Sequence, residues 1–486
     1  MRTTRQALFV AIVGTVVIAD VVPAAADWRD HVTLSAQDRA RAEFVDYFRP
    51  PPGAASSDAH RYAFYANQLR AGLRVLFPHV DLGVEIQDTR LVHLPDDASL
   101  GPPIGNLGPG AIYFAHTHDR DQGEPFLKQA HLTLRRSGIS VEVGRFEYRD
   151  GLETLPGDRT LLALKRKRIA ERLVGPFGYT HVTRSFDGTR LSVDRADWNA
   201  TAFATRPTAG GFEVSANREI DGVSLAGIAL TAKRLPHAPP ADARLFYLYY
   251  EDDRRSAVKV DNRAPALRAA DTHHVGVHSF GGHAMTVVDA GPGAFDALVW
   301  AVLQRGTWGA LDHRAWAYAL EVGYQLPRVP TGPWLRAGYD RSSGDADPGD
   351  GDHRTFFQVL PTARIYAQFP FYNLMNDEDL FAQLIAEPFA RASLRVDYHW
   401  LRLTEGRDLW YAGGGATNDD VFGFSGIAAH GRRELAHVIE CGIDVRVVER
   451  LSASAYYAHA FGQGVVGATF AGTDASYGYV ELTLRY

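Results

Sequence analysis

The run Gly478-Tyr479-Val480-Glu481-Leu482-Thr483-Leu484-Arg485-Tyr486 alternates without a break. Successive side chains of a strand point to opposite faces. Gly478, Val480, Leu482, Leu484 and Tyr486 therefore share one face, and Tyr479, Glu481, Thr483 and Arg485 share the other. One side is oily and the other polar.

The same period recurs upstream. In 314–324, Trp316, Tyr318, Leu320, Val322 and Tyr324 oppose Ala315, Ala317, Ala319, Glu321 and Gly323. In 394–400, Leu394, Val396, Tyr398 and Trp400 oppose Arg395, Asp397 and His399. In 439–447, Ile439, Cys441, Ile443, Val445 and Val447 oppose Glu440, Gly442, Asp444 and Arg446. Near the start, Val80, Leu82, Val84 and Ile86 oppose Asp81, Gly83, Glu85 and Gln87. Segments of about ten residues are what a tilted strand needs to cross a bilayer.

A soluble antiparallel sandwich also alternates, because one of its faces is wet. Two features favour a bilayer instead. Trp and Tyr sit at the ends of the apolar stripes, where membrane interfaces carry aromatic girdles. Connections come in two sizes: a tight hairpin at Glu449-Arg450, and long Gly- and Asp-rich stretches at 341–355 and 404–434. Ending on an aromatic residue is also a habit of bacterial outer-membrane barrels. Lipid offers nothing to a bare strand edge, so such a sheet must close. The spacing predicts an all-β, transmembrane antiparallel β-barrel. At roughly 25 residues per strand with its connection it has about 18 strands, with 16 as the other even solution.

The N-terminus reads as an export signal. Arg2 and Arg5 precede the apolar stretch Ala7 to Val22, and Ala24-Ala25-Ala26 supplies small residues for cleavage. The competing reading, a retained anchor, requires a longer span. The expected organisation is a signal peptide over 1–26 and one barrel domain over 27–486. After Ala26 no segment approaches the roughly 18 consecutive apolar residues of a spanning helix. Cys441 is the only cysteine, which rules out an internal disulfide framework or a cysteine cage. The net charge of −6 argues against a general nucleic-acid partner. Of the 51 basic residues only five are lysines, leaving 46 arginines. Codon bias can produce that excess, and so can a need for bidentate carboxylate binding.

Several blocks carry a family resemblance. They are Tyr47-Phe48-Arg49-Pro50-Pro51; Gly144-Arg145-Phe146-Glu147-Tyr148 with Asp150-Gly151-Leu152-Glu153; and Leu164-Lys165, Arg168-Ile169, Glu171-Arg172-Leu173 and Gly175-Pro176-Phe177. Further on come Ser185-Phe186-Asp187-Gly188, Leu360-Pro361-Thr362, Asp397-Tyr398-His399 and Leu409-Trp410-Tyr411. In order and spacing they resemble the alginate-export family of outer-membrane channels, over essentially the whole mature chain. The resemblance implies an 18-stranded monomeric barrel whose arginine-rich constriction passes an anionic uronate polysaccharide outward. Its partners would be that polymer, outer-membrane lipid and periplasmic secretion components, with no cofactor. An uptake porin for small anionic solutes and an outer-membrane hydrolase are the alternatives.

The selectivity chemistry is expected in two places. Residues 158–173 read as one helix, capped by Asp158 and ended at Gly175-Pro176, roughly 24 Å long. Its basic body is Lys165, Arg166, Lys167, Arg168 and Arg172. Folded inward it would place cations in the path of an anion; outside the barrel it would be a solvated surface helix. Arg145 shares parity with Val141 and Val143, which would aim it at lipid. A bulge at Gly144, or a strand ending there, would instead join it to Glu147, Arg149 and Glu153 in a mixed-charge constriction. Parity adds Glu85, Gln129, His131, Arg135, Arg336, Asp340, Arg395, Asp397, His399 and Arg446 to the lumen face.

Enzyme-like signals are weak, and no catalytic or metal site is expected. His116, His118 and Asp119, and His273, His274, His278 and His283, lack the spacing of known metal sites. Ser279-Phe280-Gly281-Gly282 has no strand–elbow–helix context. Asp345, Asp347, Asp350 and Asp352 suit a calcium loop or a plain acidic loop.

Overall fold

The computed structural model describes residues 31–56, 58–234 and 239–486. The export signal over 1–26 lies outside the described residues. Eighteen strands form one closed antiparallel barrel. Val32–Asp46 pairs on one side with Arg61–Leu76 and on the other with the final strand, Asp474–Arg485. That second pairing, from Gln37↔Arg485 to Asp46↔Ser476, removes both edges.

The alternation faces outward with its oil. Ile439 is 48 % exposed, whereas its neighbour Glu440 is 1 % exposed. Leu482, Val84 and Leu320 are likewise on the outside, with Glu321 and Asp397 inside. In water this arrangement would forfeit the main driving force of folding; in lipid it satisfies both faces. Outward aromatic rings gather near the strand ends, as in the stacked pairs Trp316–Tyr318, Trp400–His437 and Tyr249–His278.

Connections at one rim are short, for example 137–138, 291–292, 390–391 and 447–450. The 137–138 turn is Ser137-Gly138 with φ of 51° and 75°, the doubly positive pattern that matches hairpin twist. At the other rim run 93–121, 147–185, 343–376 and 404–433. One connection on that rim, 309–310, is short as well. These long segments turn back into the barrel. Phe48, Phe371, Trp410 and Phe470 pack ring against ring, and Phe357 meets Trp308 and Phe422. The lumen is therefore largely filled near that rim.

Two of these segments meet at Asp408. Its carboxyl accepts hydrogen bonds from Thr355 Oγ1 (2.6 Å), Tyr411 OH (2.7 Å) and the Asp345 backbone N–H (2.8 Å). Burial nevertheless pushes its pKa up from 3.8 to about 7. A raised acid favours the docked state while it holds its proton. Docking is thus tightest at low pH, weakens above the ordinary carboxylate range, and has lost this contribution once pH rises through about 7. Amide exchange around Thr355–Phe357, corrected for intrinsic rate, is expected to be faster at pH 8 than at pH 5.5. Asp408→Asn should flatten the difference; equal pH dependence in both proteins would contradict the assignment.

Candidate functional site in the lumen

Residues 147–185 leave the strand Ile139–Phe146, cross the barrel, and rejoin the wall at Phe186–Asp194. Asp158 caps the short helix Arg159–Leu164, accepting the Leu161 N–H at 2.9 Å. The expected single helix over 158–173 does not continue. A π-turn spans Lys165–Ile169, closed by the Ala170 N–H on the Lys165 carbonyl at 2.8 Å, and Glu171 is left-handed at φ 61°. The widened turn and the left-handed residue that follows it present Lys165, Arg168 and Arg172 to carboxylates on the wall.

Those contacts hold the segment like a bolt. Lys165 Nζ pairs with Asp242 at 2.7 Å. Arg168 and Arg172 meet Glu321 at 2.8 and 3.0 Å, and Arg172 also meets Asp340 at 3.4 Å. Arg336 ties the same Glu321 (3.0 Å) to Asp296. Arg244 clasps Asp150 and Glu153, each at 2.7 Å. Beyond the helix, the His181 carbonyl accepts from Gln68 and Gln87, and Arg39 donates to the Gly178 and Thr180 carbonyls. Both ends of the crossing segment are therefore bonded to opposite walls.

Inward folding thus occurs, but Lys165, Arg168 and Arg172 do not face open lumen. Each is buried in ion pairs, as are Glu153, Arg336, Asp397 and His399. The helix exposes Arg166 and Lys167 instead. Glu147 sits among Lys128 (3.2 Å), Arg70 (3.2 Å) and Arg149 (3.0 Å). Burial pushes its carboxyl up, but those three cations hold it well below the usual carboxylate range. Arg149, about half exposed, also reaches Glu171 at 2.8 Å.

Arg145 is a correction. Pairing through 139–146 is continuous, so no bulge at Gly144 turns it inward. It lies on the outer wall and not in a constriction, held by Asp187 at 2.6 Å, the Leu127 carbonyl at 3.0 Å and Asn217 at 3.3 Å. These partners offset much of the cost of an arginine on that face. The bulge lies on the neighbouring strand, where register shifts opposite Glu85 and Lys128 turns in to donate to the Arg184 carbonyl.

The remaining parity assignments fall on the lumen face. Arg135 meets Asp81 (2.7 Å), Gln129 meets Glu85 (3.3 Å), and His131 stands 3.9 Å from Glu142; Arg446 lies near the short-turn rim. The histidine groups do not converge: His116 faces Glu213, His278 lies outside against Tyr249, and His283 pairs inside with Asp242. Ser279 is on a barrel strand and bonds Gln304. Asp345, Asp347 and Asp350 cap nearby backbone N–H groups, while Arg354 pairs with Asp350 and Asp352.

On the short-turn side of the crossing segment lies a cavity of about 420 Å³. Arg41, Arg149, Lys167, Arg364 and Arg395 line it with Glu171, Asp397, Glu440 and Asp444. Tyr179, Tyr456 and Tyr479 add ring faces; Tyr456 and Tyr479 stack at 5.3 Å, with Arg41 4.2 Å above the latter. Sequence reasoning set Tyr479 on the polar face of the last strand but did not single out Arg41, Arg364, Tyr179 or Tyr456. Strand parity through Arg39, Arg41 and Glu43 would have found Arg41, but Tyr179 and Arg364 arrive on loops that follow no period.

A family model described as alginate export matches residues 31–472 of the chain. The chain belongs to the alginate-export family. No curated protein sequence matches it. Among solved structures, this alginate-export family member resembles OccAB2 of Acinetobacter baumannii at 10 % identity and a TM-score of 0.59, covering 95 % of this chain and 99 % of that one. It is also similar to OccK9 (OpdG) of Pseudomonas aeruginosa at 11 % identity and a TM-score of 0.58, covering 94 % and 100 %. OccAB1 of A. baumannii follows at 9 % identity and 0.55, covering 94 % and 96 %. Identities this low speak to fold alone. Family and barrel together make the protein an outer-membrane channel.

Proposed function

We propose that this member of the alginate-export family passes an anionic, uronate-type saccharide through its lumen, outward and without an energy source of its own. The observation that carries the reading is the composition of the 420 Å³ cavity: accessible cations at Lys167 and Arg149 beside tyrosine faces. Carboxylates seek the cations, and sugar rings lie against aromatic faces. Interleaved Glu171, Asp397 and Glu440 keep each contact weak, which multisite transport requires.

The size of that cavity, together with the ion-paired segment above it, also favours a second reading. A space of 420 Å³ holds one or two sugar rings, which suits a porin for small uronates as well as one station along a polymer. Planar-bilayer conductance separates the two. The export reading expects anion selectivity and block by polyuronate at lower concentration than by free uronate. Lys167→Glu should cut the selectivity about tenfold, as expected for reversing one charge in a confined aqueous path. Cation selectivity in the unaltered protein would remove both readings. Block by monouronate alone would leave only the porin.

A further inference from the structure

We infer that the barrel wall holds a divalent transition-metal site formed by Asp397, His399 and Glu440. The register of strands Ala392–Leu403 and Glu434–Arg446 sets Asp397 directly opposite Glu440, and His399 follows two residues on along the same inner face. Each is 1 % exposed, and one ligand atom from each lies within 4.8 Å of the others. A tetrahedral cation at about 2.0–2.2 Å from every ligand sets the ligand atoms roughly 3.3–3.6 Å apart, so the three side chains would close in by up to about 1.5 Å on binding.

Two features point to a ligand. First, His399 Nε2 and Asp397 Oδ1 are buried without a hydrogen-bond partner, which is costly unless something occupies the space between them. Second, His399 Nδ1 lies 2.8 Å from Asp379 Oδ2. That carboxylate accepts from Nδ1–H, and a metal ion at Nε2 would complete the carboxylate–histidine arrangement found behind metal-binding histidines.

One imidazole and two carboxylates suit Zn²⁺, Mn²⁺ or Fe²⁺ better than Ca²⁺ or Mg²⁺. Glu440 is already oriented by the Gln368 and Phe369 N–H groups, each at 3.1 Å. The ion would therefore brace the inward segment 343–376 against the wall. Asp397 and Glu440 also line the cavity described above.

Tag-free barrel in detergent, stripped with chelator, should take up one Co²⁺ or Zn²⁺ per chain by calorimetry, with Co²⁺ giving the visible absorption of a nitrogen–oxygen site. His399→Gln should abolish this uptake, and Asp379→Asn should weaken it about 10- to 100-fold. Heat-dependent gel mobility verifies folding of the variants. Absence of saturable one-to-one uptake by the unaltered protein would overturn the proposal, whatever the variants do. So would stoichiometric uptake that His399→Gln leaves intact, because the ion would then lie elsewhere.

Discussion

Replacing Arg168 and Arg172 together with glutamine is expected to release the crossing segment and raise single-channel conductance severalfold. In the folded protein these guanidiniums neutralise Glu321 and Asp340 inside the barrel, with Arg168 4.4 Å from the Phe381 ring and Arg172 4.3 Å from that of Tyr366. Removing one side of a buried ion pair strands the other, at about 3–5 kcal/mol. The equilibrium between seated and released segment would shift by roughly 150- to 5,000-fold. The eighteen strands do not depend on that segment for their own pairing, so heat-dependent gel mobility should persist. Protease should gain access to 158–173, which the seated arrangement protects. Unchanged conductance in a folded double variant would show that the segment does not limit flow. Lys167→Glu makes the contrast: it should alter selectivity with the segment still in place.

The second large effect separates two positions three residues apart. Ile439→Arg would put a guanidinium on the lipid face near the middle of Glu434–Arg446, where arginine costs about 2–4 kcal/mol. Gly442→Arg would put the same group into the lumen. The nearest atoms around a new Cβ at Gly442 are Tyr456 Cδ2 at 3.8 Å and the Ala455 carbonyl at 3.9 Å, ordinary contact distances. Ile439→Arg should therefore fold poorly in detergent and lipid. Gly442→Arg should fold and increase anion selectivity by adding a cation to the cavity. Urea titration of both variants in lipid, followed by conductance of the folded one, provides the measurement. Equal destabilisation would contradict the assignment of the two faces.

Much of this was legible from residue order. Ile439, Leu482, Leu320 and Val84 announced their faces through a period of two, and lipid demands that period strand by strand. The same parity put Asp397, His399 and Arg336 inside. It placed Arg145 outside too; the expectation that a bulge at Gly144 or a strand end there joins it to a constriction fails, because pairing runs unbroken through 139–146. An arginine on the outer wall looks prohibitive until Asp187 and Asn217 are seen beside it. The basic run 165–168 could be recognised as able to fold inward, but not which of its cations would remain accessible. Lys165 and Arg168 became buried because Asp242 and Glu321 happen to lie opposite them, on strands that begin more than 75 residues further along.

Local chemistry alone thus determined that this chain makes alternating strands, that they close in a membrane, and which side chains face water. Each of those outcomes follows from the period of a single strand and the lack of hydrogen-bond partners in lipid. The tertiary structure decided how wide the path is, which charges are spent on holding the crossing segment, and that Asp397 and His399 meet Glu440. Those depend on pairing between residues distant in sequence, where register and loop direction choose the neighbours and no short-range pattern encodes the choice.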